Sequence, residues 1–285
     1  MTYQTMEVRP IAGALGAEIY GADLRDRDDS PVWGELRQAF LEHHVIAVRG
    51  QSLSPEDLMR VGGKFGEPAF YPFAKGMEGF PYIHEVIKRE GETENFGNDW
   101  HTDTMYTERP PRATLLYAVE TPPRGGDTLY VNTAAAYDAL SDGMKRTLDS
   151  LKAVHSANAQ YGVDGGSEAS RNNAARSMKP ATSEDAKAEV VHPVVRTHPE
   201  TGKRALYVNI GFTTGFDGWT KEESRALLRW LYEHCAKPEF TCRFVWTKNA
   251  VAFWDNRCAQ HYALNDYHGF RREMHRVTVE GDRPR

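Results

Sequence analysis

Asn98-Asp99-Trp100-His101-Thr102-Asp103 is the stretch on which the reading of this 285-residue chain turns. In an extended segment residues i and i+2 point to the same side, so His101 and Asp103 can offer an imidazole and a carboxylate to one ion. Alone, the pattern is weak. With eleven histidines in the chain, a chance His-x-Asp is common, and a lone histidine is more often a satisfied surface or core residue. A third candidate, His261, follows Ala252-Phe-Trp-Asp-Asn-Arg-Cys-Ala-Gln, which reads as an apolar strand ending in a polar turn at a barrel rim. Two histidines and one carboxylate are the set that holds non-haem Fe(II) on one face and leaves the other open. The absence of a thiolate argues against a structural zinc cage. Cys258 lies an odd number of residues from His261, which on a strand faces it the other way, so it reads as a packed neighbour.

Arg272 follows His261 by eleven residues, a distance that suits a hairpin return beside the histidine. Arg272, Met274 and Arg276 share parity, so one face of a strand carries both guanidiniums and an apolar side chain. The methionine marks that face as partly buried, and two buried cations are costly unless anions bind there. The planar arginine fork matches a carboxylate, and Arg272 could anchor a carboxylate-bearing co-substrate.

The rest of the chain sets the context. Its 40% hydrophobic and 26% charged content is that of an ordinary globular protein. The net charge of −5 argues against a dedicated nucleic-acid binder. Three cysteines without CxxC spacing fit a reducing compartment better than a disulfide framework. The first residues lack an apolar h-region, and no long apolar run follows, so a cytoplasmic protein without membrane contact is expected.

Short apolar, partly β-branched runs read as strands at Val45–Arg49, Thr114–Val119, Asp127–Val131, Val190–Thr197, Ala205–Asn209, Phe240–Trp246, Ala250–Trp254 and Met274–Val279. Helices are predicted over Pro31–His43, after the Ser54-Pro55-Glu56-Asp57 start signal, and after the Thr220-Lys-Glu-Glu223 capping box. No linker divides the chain, and a single domain over 1–285 is expected. The polar stretch 162–187, with little to bury, reads as a mobile loop or lid within it.

These motifs resemble the taurine dioxygenase/2,4-dichlorophenoxyacetate dioxygenase family of Fe(II)- and 2-oxoglutarate-dependent oxygenases. The resemblance runs over nearly the whole chain and rests on Asn98-Asp-Trp-His-Thr-Asp103, Gly125-Gly-Asp-Thr128, His192-Pro-Val-Val-Arg-Thr-His-Pro199, Trp254-Asp-Asn-Arg257 and His261-Tyr262. It implies a mainly β chain with flanking helices, built on a double-stranded β-helix, or jelly roll. It implies that His101, Asp103 and His261 bind Fe(II) and form the catalytic centre. It also implies that Arg272, helped by the Thr128 hydroxyl, pairs with the distal carboxylate of 2-oxoglutarate. The retained Asp103 points to hydroxylation rather than halogenation, with succinate and CO2 as co-products.

By the same resemblance Arg276 grips an anionic substrate head group. Two positions depart from the taurine pattern. Tyr71 stands where the family has a sulfonate-contacting histidine, and Gly97 where it has an asparagine, for which Asn98 could substitute by a small shift. A phenol in place of an imidazole favours a larger, more apolar acid. Tyr71, Asn98 and Tyr106 are therefore the candidate substrate contacts, with Phe73, Met105 and Phe212 as further pocket lining. Read without a ligand, these aromatics are more ordinarily core. The expected partners are O2, a small to medium organic acid (an aryloxyalkanoate, sulfonate or alkyl sulfate ester), and further copies of the chain. Taurine itself is an alternative. So are a zinc hydrolase on the same three ligands, which would need neither Arg272 nor Thr128, and a non-catalytic jelly-roll binding protein.

Overall fold

The computed structural model describes residues 3–164, 177–178 and 181–285. The chain is mainly β, with few helices. Its largest sheet contains β1 (Glu7–Pro10), β2 (Ala17–Tyr20), β3 (Val45–Val48), β4 (Pro68–Ala69), β5 (His84–Lys88) and β6 (Ala113–Glu120), completed by two strands from the C-terminal part. A second sheet is built on β7 (Thr128–Asn132), and β8 (Lys152–Ser156) is the middle strand of a third. The later strands are β9 (Glu189–Pro193), β10 (Val195–Thr197), β11 (Arg204–Leu206), β12 (Thr213–Phe216), β13 (Thr241–Phe244), β14 (Val251–Asp255), β15 (Ala259–Ala263) and β16 (Arg272–Val279). The large sheet runs β1-β2-β3-β14-β6-β16-β4, with β5 also paired to β16. The others run β13-β7-β15, β12-β8-β9 and β10-β11.

The central strands of the large sheet read as continuous apolar runs because both faces are covered. On β6 and β14, Leu115, Tyr117, Val251 and Phe253 pack towards helices Val32–His43 and Pro55–Gly63. Leu116, Ala118, Ala252 and Trp254 alternate with them and pack against Tyr130, Phe244 and Trp246 of the second sheet and its flank. The site lies between these two sheets.

The helix starts follow their local chemistry. Both capping boxes form, Ser54 with Asp57 and Thr220 with Glu223, and each satisfies otherwise unpaired N–H groups of the first turn. Among the described residues no helix is long and apolar enough to cross a membrane.

Three expectations need correction. Val190–Thr197 is not one strand. The chain breaks at Val194, whose N–H turns to the Leu151 carbonyl, so β9 joins β8 while β10 joins β11. His261 sits within β15, one turn beyond the end of β14, rather than in the turn itself. Nor do β15 and β16 form a hairpin. Each has its hydrogen-bond partners in a different sheet, so the intervening segment crosses from one sheet to the other. The stretch 162–187 lies largely outside the described residues. Its described end is tied down, with the Ala181 N–H on the Phe73 carbonyl and the Ser183 N–H on the Tyr161 carbonyl.

Candidate active site

His101 is held by backbone, not by a regular strand. It forms an isolated bridge to His261, with the His101 N–H on the His261 carbonyl at 3.1 Å and the reverse bond at 2.9 Å. This fixes the two imidazoles with ring centres 4.1 Å apart. The close approach needs glycine on both sides of His101. A Cβ at Gly97, whose φ is +80°, would lie 3.1 Å from His101 Cε1, and one at Gly211 would lie 3.2 Å from His101 Cβ.

Both histidine Nε2 atoms lie 3.9 Å from Asp103 Oδ1. Two ligands on one ion, each at about 2.1 Å, stand at most about 4.2 Å apart, so the three groups can share a metal. His101 Nδ1 lies 2.7 Å from the Asp99 carbonyl, and donating there fixes the tautomer that leaves the Nε2 lone pair free. Asp103 is buried, and burial alone would raise its pKa. The charges of Arg276 and the two histidines, together with the Thr114 hydroxyl, outweigh that and bring it down to about 2. The carboxylate is thus ionised across the working range. Burial and the neighbouring His101 push the His261 imidazole down to about 3, keeping it neutral and able to ligate.

A directional chain stands behind Asp103. Trp254 Nε1 donates to Asn256 Oδ1 at 3.1 Å, Asn256 Nδ2 to Thr114 Oγ1 at 2.9 Å, and Thr114 Oγ1 to Asp103 Oδ2 at 2.7 Å. The neighbouring Asp255 and Arg257 of the same tetrapeptide pair with each other, joined by His198 and Glu200. In the sequence, Trp254-Asp-Asn-Arg257 marks the family resemblance without disclosing this chain of bonds, and Thr114 reads only as a strand residue.

Arg272, Met274 and Arg276 share the inward face of β16, as their parity predicts, and all three are buried. The Arg272 guanidinium lies 5.7 Å from the Trp246 ring centre, and Trp246 Nε1 donates to Thr128 Oγ1 at 2.9 Å. Arg272 Nε and the Tyr130 hydroxyl have no hydrogen-bond partner. A buried fork with an unpaired N–H, beside two hydroxyls, fits the carboxylate end of 2-oxoglutarate.

Arg276 stands on the Asp103 side of the same face. Its Nη1 donates to Asp103 Oδ1 at 3.3 Å, and its guanidinium lies 4.3 Å from the Tyr71 ring centre and 5.8 Å from that of Phe96. Tyr71, Phe73, Met105, Tyr106 and Phe212 form one apolar cluster with Tyr161 and Tyr207. Phe212 brings the cluster to His101, its ring centre 6.1 Å from that of the imidazole. Tyr71 is clamped by a 2.8 Å hydroxyl contact with Tyr161. Asn98 is not brought into this group. It is exposed, and the buried amide of its loop is Asn95, which donates to the Ala263 and Leu264 carbonyls.

Two other groupings of acids, histidines and cysteines come as close among the described residues. In one, Asp255 is already committed to Arg257 and His198, and Cys258 Sγ lies 3.2 Å from His44 Nδ1. Cys258 is buried against Ala134 and Ala205, a packed neighbour as the sequence indicated. The other, Glu85 with Glu273 and His275, lies outside the sheet interior.

This fold and this arrangement of groups define an oxygenase that works with Fe(II) and 2-oxoglutarate. Residues 7–278 match the model of the taurine catabolism dioxygenase TauD, TfdA family, and the chain belongs to that family. It is 35% identical over 280 residues to the alpha-ketoglutarate-dependent sulfate ester dioxygenase of Pseudomonas putida, covering 98% of this chain and 91% of the relative. It is 34% identical over 287 residues to the alkylsulfatase of Acinetobacter baylyi, covering 98% and 86%. The crystal structure of a taurine dioxygenase from Burkholderia xenovorans superposes with a TM-score of 0.82 at 34% identity, covering 99% of this chain and 91% of that one. A 2-oxoglutarate-dependent dioxygenase is an oxidoreductase, and the hydrolase and binding-protein readings fall.

Proposed function

We propose that the chain is one dioxygenase domain with a double-stranded β-helix core that oxidises alkyl sulfate esters. In this reading His101, Asp103 and His261 hold Fe(II), and Arg272 with Thr128 holds the far carboxylate of 2-oxoglutarate. Arg276 holds the anionic head group of the substrate, with Tyr71 and Tyr106 on its apolar wall. The observation that carries it is the buried Arg276 guanidinium, stacked on Tyr71 and facing an aromatic cluster that reaches the metal ligands. A charge beside an apolar wall suits an amphiphile, an acid head on a hydrocarbon body. Relatives named a sulfate ester dioxygenase and an alkylsulfatase, at 35% and 34% identity, support that class. The taurine dioxygenase structure is as similar at 34%, and it is the apolar wall that speaks against so small and polar a substrate as taurine.

When bound, the metal and co-substrate supply the activation of O2. The chain supplies placement. The Asp99 carbonyl and the Thr114 hydroxyl orient two of the ligands, Arg276 aims the carbon next to the ester oxygen, and the aromatic wall excludes water. In the overall reaction one atom of O2 enters succinate and the other enters that C–H bond. 2-Oxoglutarate gives up CO2 and supplies two electrons. The new hydroxyl then loses its proton as the C–O bond to sulfate breaks, which leaves an aldehyde and free sulfate.

The test is substrate-dependent succinate formation with hexyl sulfate, hexanesulfonate, phenoxyacetate and taurine, using Fe(II)-loaded enzyme. Hexyl sulfate should give the fastest turnover, with equimolar sulfate released. Turnover of taurine alone would refute the reading. The proposal extends to a cytoplasmic homo-oligomer, supported by three buried, unpaired cysteines for the compartment and checked for assembly by light scattering.

A further inference from the structure

Strand β5 lies beside β16 in antiparallel register, with His84 opposite Arg276, Val86 opposite Met274 and Lys88 opposite Arg272. Residues directly opposite in a ladder share a face. His84 therefore points into the same interior as Arg276, and Val86 packs against the cluster that contains Met274. The His84 ring stands edge-on to Tyr71, with centres 5.4 Å apart and planes at 66°. Tyr71 in turn carries the Arg276 guanidinium on its face at 4.3 Å. Nothing in the sequence motifs marks His84.

Its polar atoms are unspent. His84 is 1% exposed, and neither ring nitrogen has a hydrogen-bond partner; the Ala74 backbone is near but completes no bond. Arg276 Nε and Nη2 are likewise buried and unpaired, while Nη1 is committed to Asp103. The Tyr106 hydroxyl, in the same aromatic cluster, has no partner either. Buried polar atoms are almost always satisfied, and leaving several together unpaired costs stability unless a ligand completes them. Nε and Nη2 form the side edge of a guanidinium, a two-pronged donor. That edge alone satisfies the two oxygens of a carboxylate. A sulfo group has three terminal oxygens, and the third needs a donor that the fork does not supply.

We propose that His84 completes the head-group site with Arg276, so that together they form a three-donor site selective for a sulfo group over a carboxylate. The inference rests on the assignment of Arg276 to the substrate head group, and His84 is a specificity-determining contact within it. The imidazole serves as a neutral N–H donor, so no additional buried charge is required.

The experiment measures calorimetric binding of hexyl sulfate and heptanoate to the anaerobic Fe(II)- and 2-oxoglutarate-loaded enzyme. Unmodified enzyme should bind the sulfate more tightly. His84→Leu should weaken hexyl sulfate ten- to hundredfold, the effect of one hydrogen bond to a charged group, with little change for heptanoate or for the affinity of 2-oxoglutarate. His84→Gln, which keeps a donor, should recover most of the loss. If His84→Leu binds hexyl sulfate as wild type does while Arg276→Leu does not, His84 is no contact and the inference fails alone. If Arg276→Leu also binds normally, the head-group assignment fails with it. A readout without any substitution uses ring-¹⁵N histidine in enzyme loaded with diamagnetic Zn(II). Hexyl sulfate should shift the His84 resonance, and an unmoved resonance would overturn the proposal.

Discussion

Thr114 Oγ1 donates a 2.7 Å hydrogen bond to Asp103 Oδ2, and Asn256 in turn donates to Thr114. The threonine lies on β6, eleven residues beyond the carboxylate it orients. Partners that orient a metal ligand are commonly worth ten- to hundredfold in metal affinity. Thr114→Val, nearly isosteric, should therefore weaken Fe(II) binding by about that factor, while Thr114→Ser should retain it. Titration of the metal-free protein with Fe(II) under argon measures both, and equal affinity in Thr114→Val would remove the hydroxyl from the site.

Gly97 should not tolerate a side chain. Its φ of +80° disfavours any L residue, and the new Cβ would press on the His101 ring at 3.1 Å. Gly97→Ala should cost about 1 kcal/mol or more in stability and weaken metal binding as the imidazole shifts. Gly50, also at positive φ but with open space around its Cβ position, is the control. Gly50→Ala should lower the melting temperature without touching metal affinity.

Arg272 should separate co-substrate from substrate. Arg272→Gln keeps hydrogen bonding but loses the charge and fork, and should raise the KM for 2-oxoglutarate about a hundredfold. The dissociation constant of hexyl sulfate should change little. Succinate formation at varied 2-oxoglutarate checks this, and an unchanged KM would place the co-substrate elsewhere.

Stability of the metal-free protein should fall with acid below neutrality. Burial pushes His44 down to about 4, against the opposing pull of Asp255, and burial with the neighbouring His192 pushes His155 down to about 3. In the unfolded chain both titrate near 6.5. Between those values the unfolded state binds more protons, so stability is fully present above about 6.5 and declines as pH falls towards 4. Each histidine adds up to about 1.4 kcal/mol per pH unit to that slope. Urea unfolding at pH 7.5, 6 and 5 tests it, and a flat profile would show that these histidines are not held neutral. His155→Gln should make the profile shallower, and the remaining slope should persist through His44.

The inward face of β16 was legible because parity is a local property. Arg272, Met274 and Arg276 alternate within one strand, and no other strand need be known. His101 and Asp103 were legible from their His-x-Asp spacing, although His101 makes only an isolated bridge and Asp103 stands in the turn that follows. The depth of the site was not. Thr114 and His84 act through register between strands far apart in sequence, and Asn256 from the turn that follows β14; composition carries no record of which residues stand opposite. The hairpin expected between His261 and Arg272 failed on the same ground. A separation of eleven residues allows a return, but the backbone hydrogen bonds of β15 and β16 are made in different sheets. Asn98 has the chemistry of a substrate contact, yet backbone direction turns it to solvent and leaves Gly97 against His101.

The reciprocal backbone bonds between His101 and His261 bear on how the enzyme acquires its iron. His101 and His261, two of the three proposed ligands, are tied together by main-chain pairing that asks nothing of an ion. Loading is then a step the finished protein undergoes, not one that builds it. Chelation should empty the site and leave the far-ultraviolet circular dichroism unchanged, and later addition of Fe(II) should restore activity without a refolding lag. An enzyme of that kind would be limited by metal supply and not by refolding.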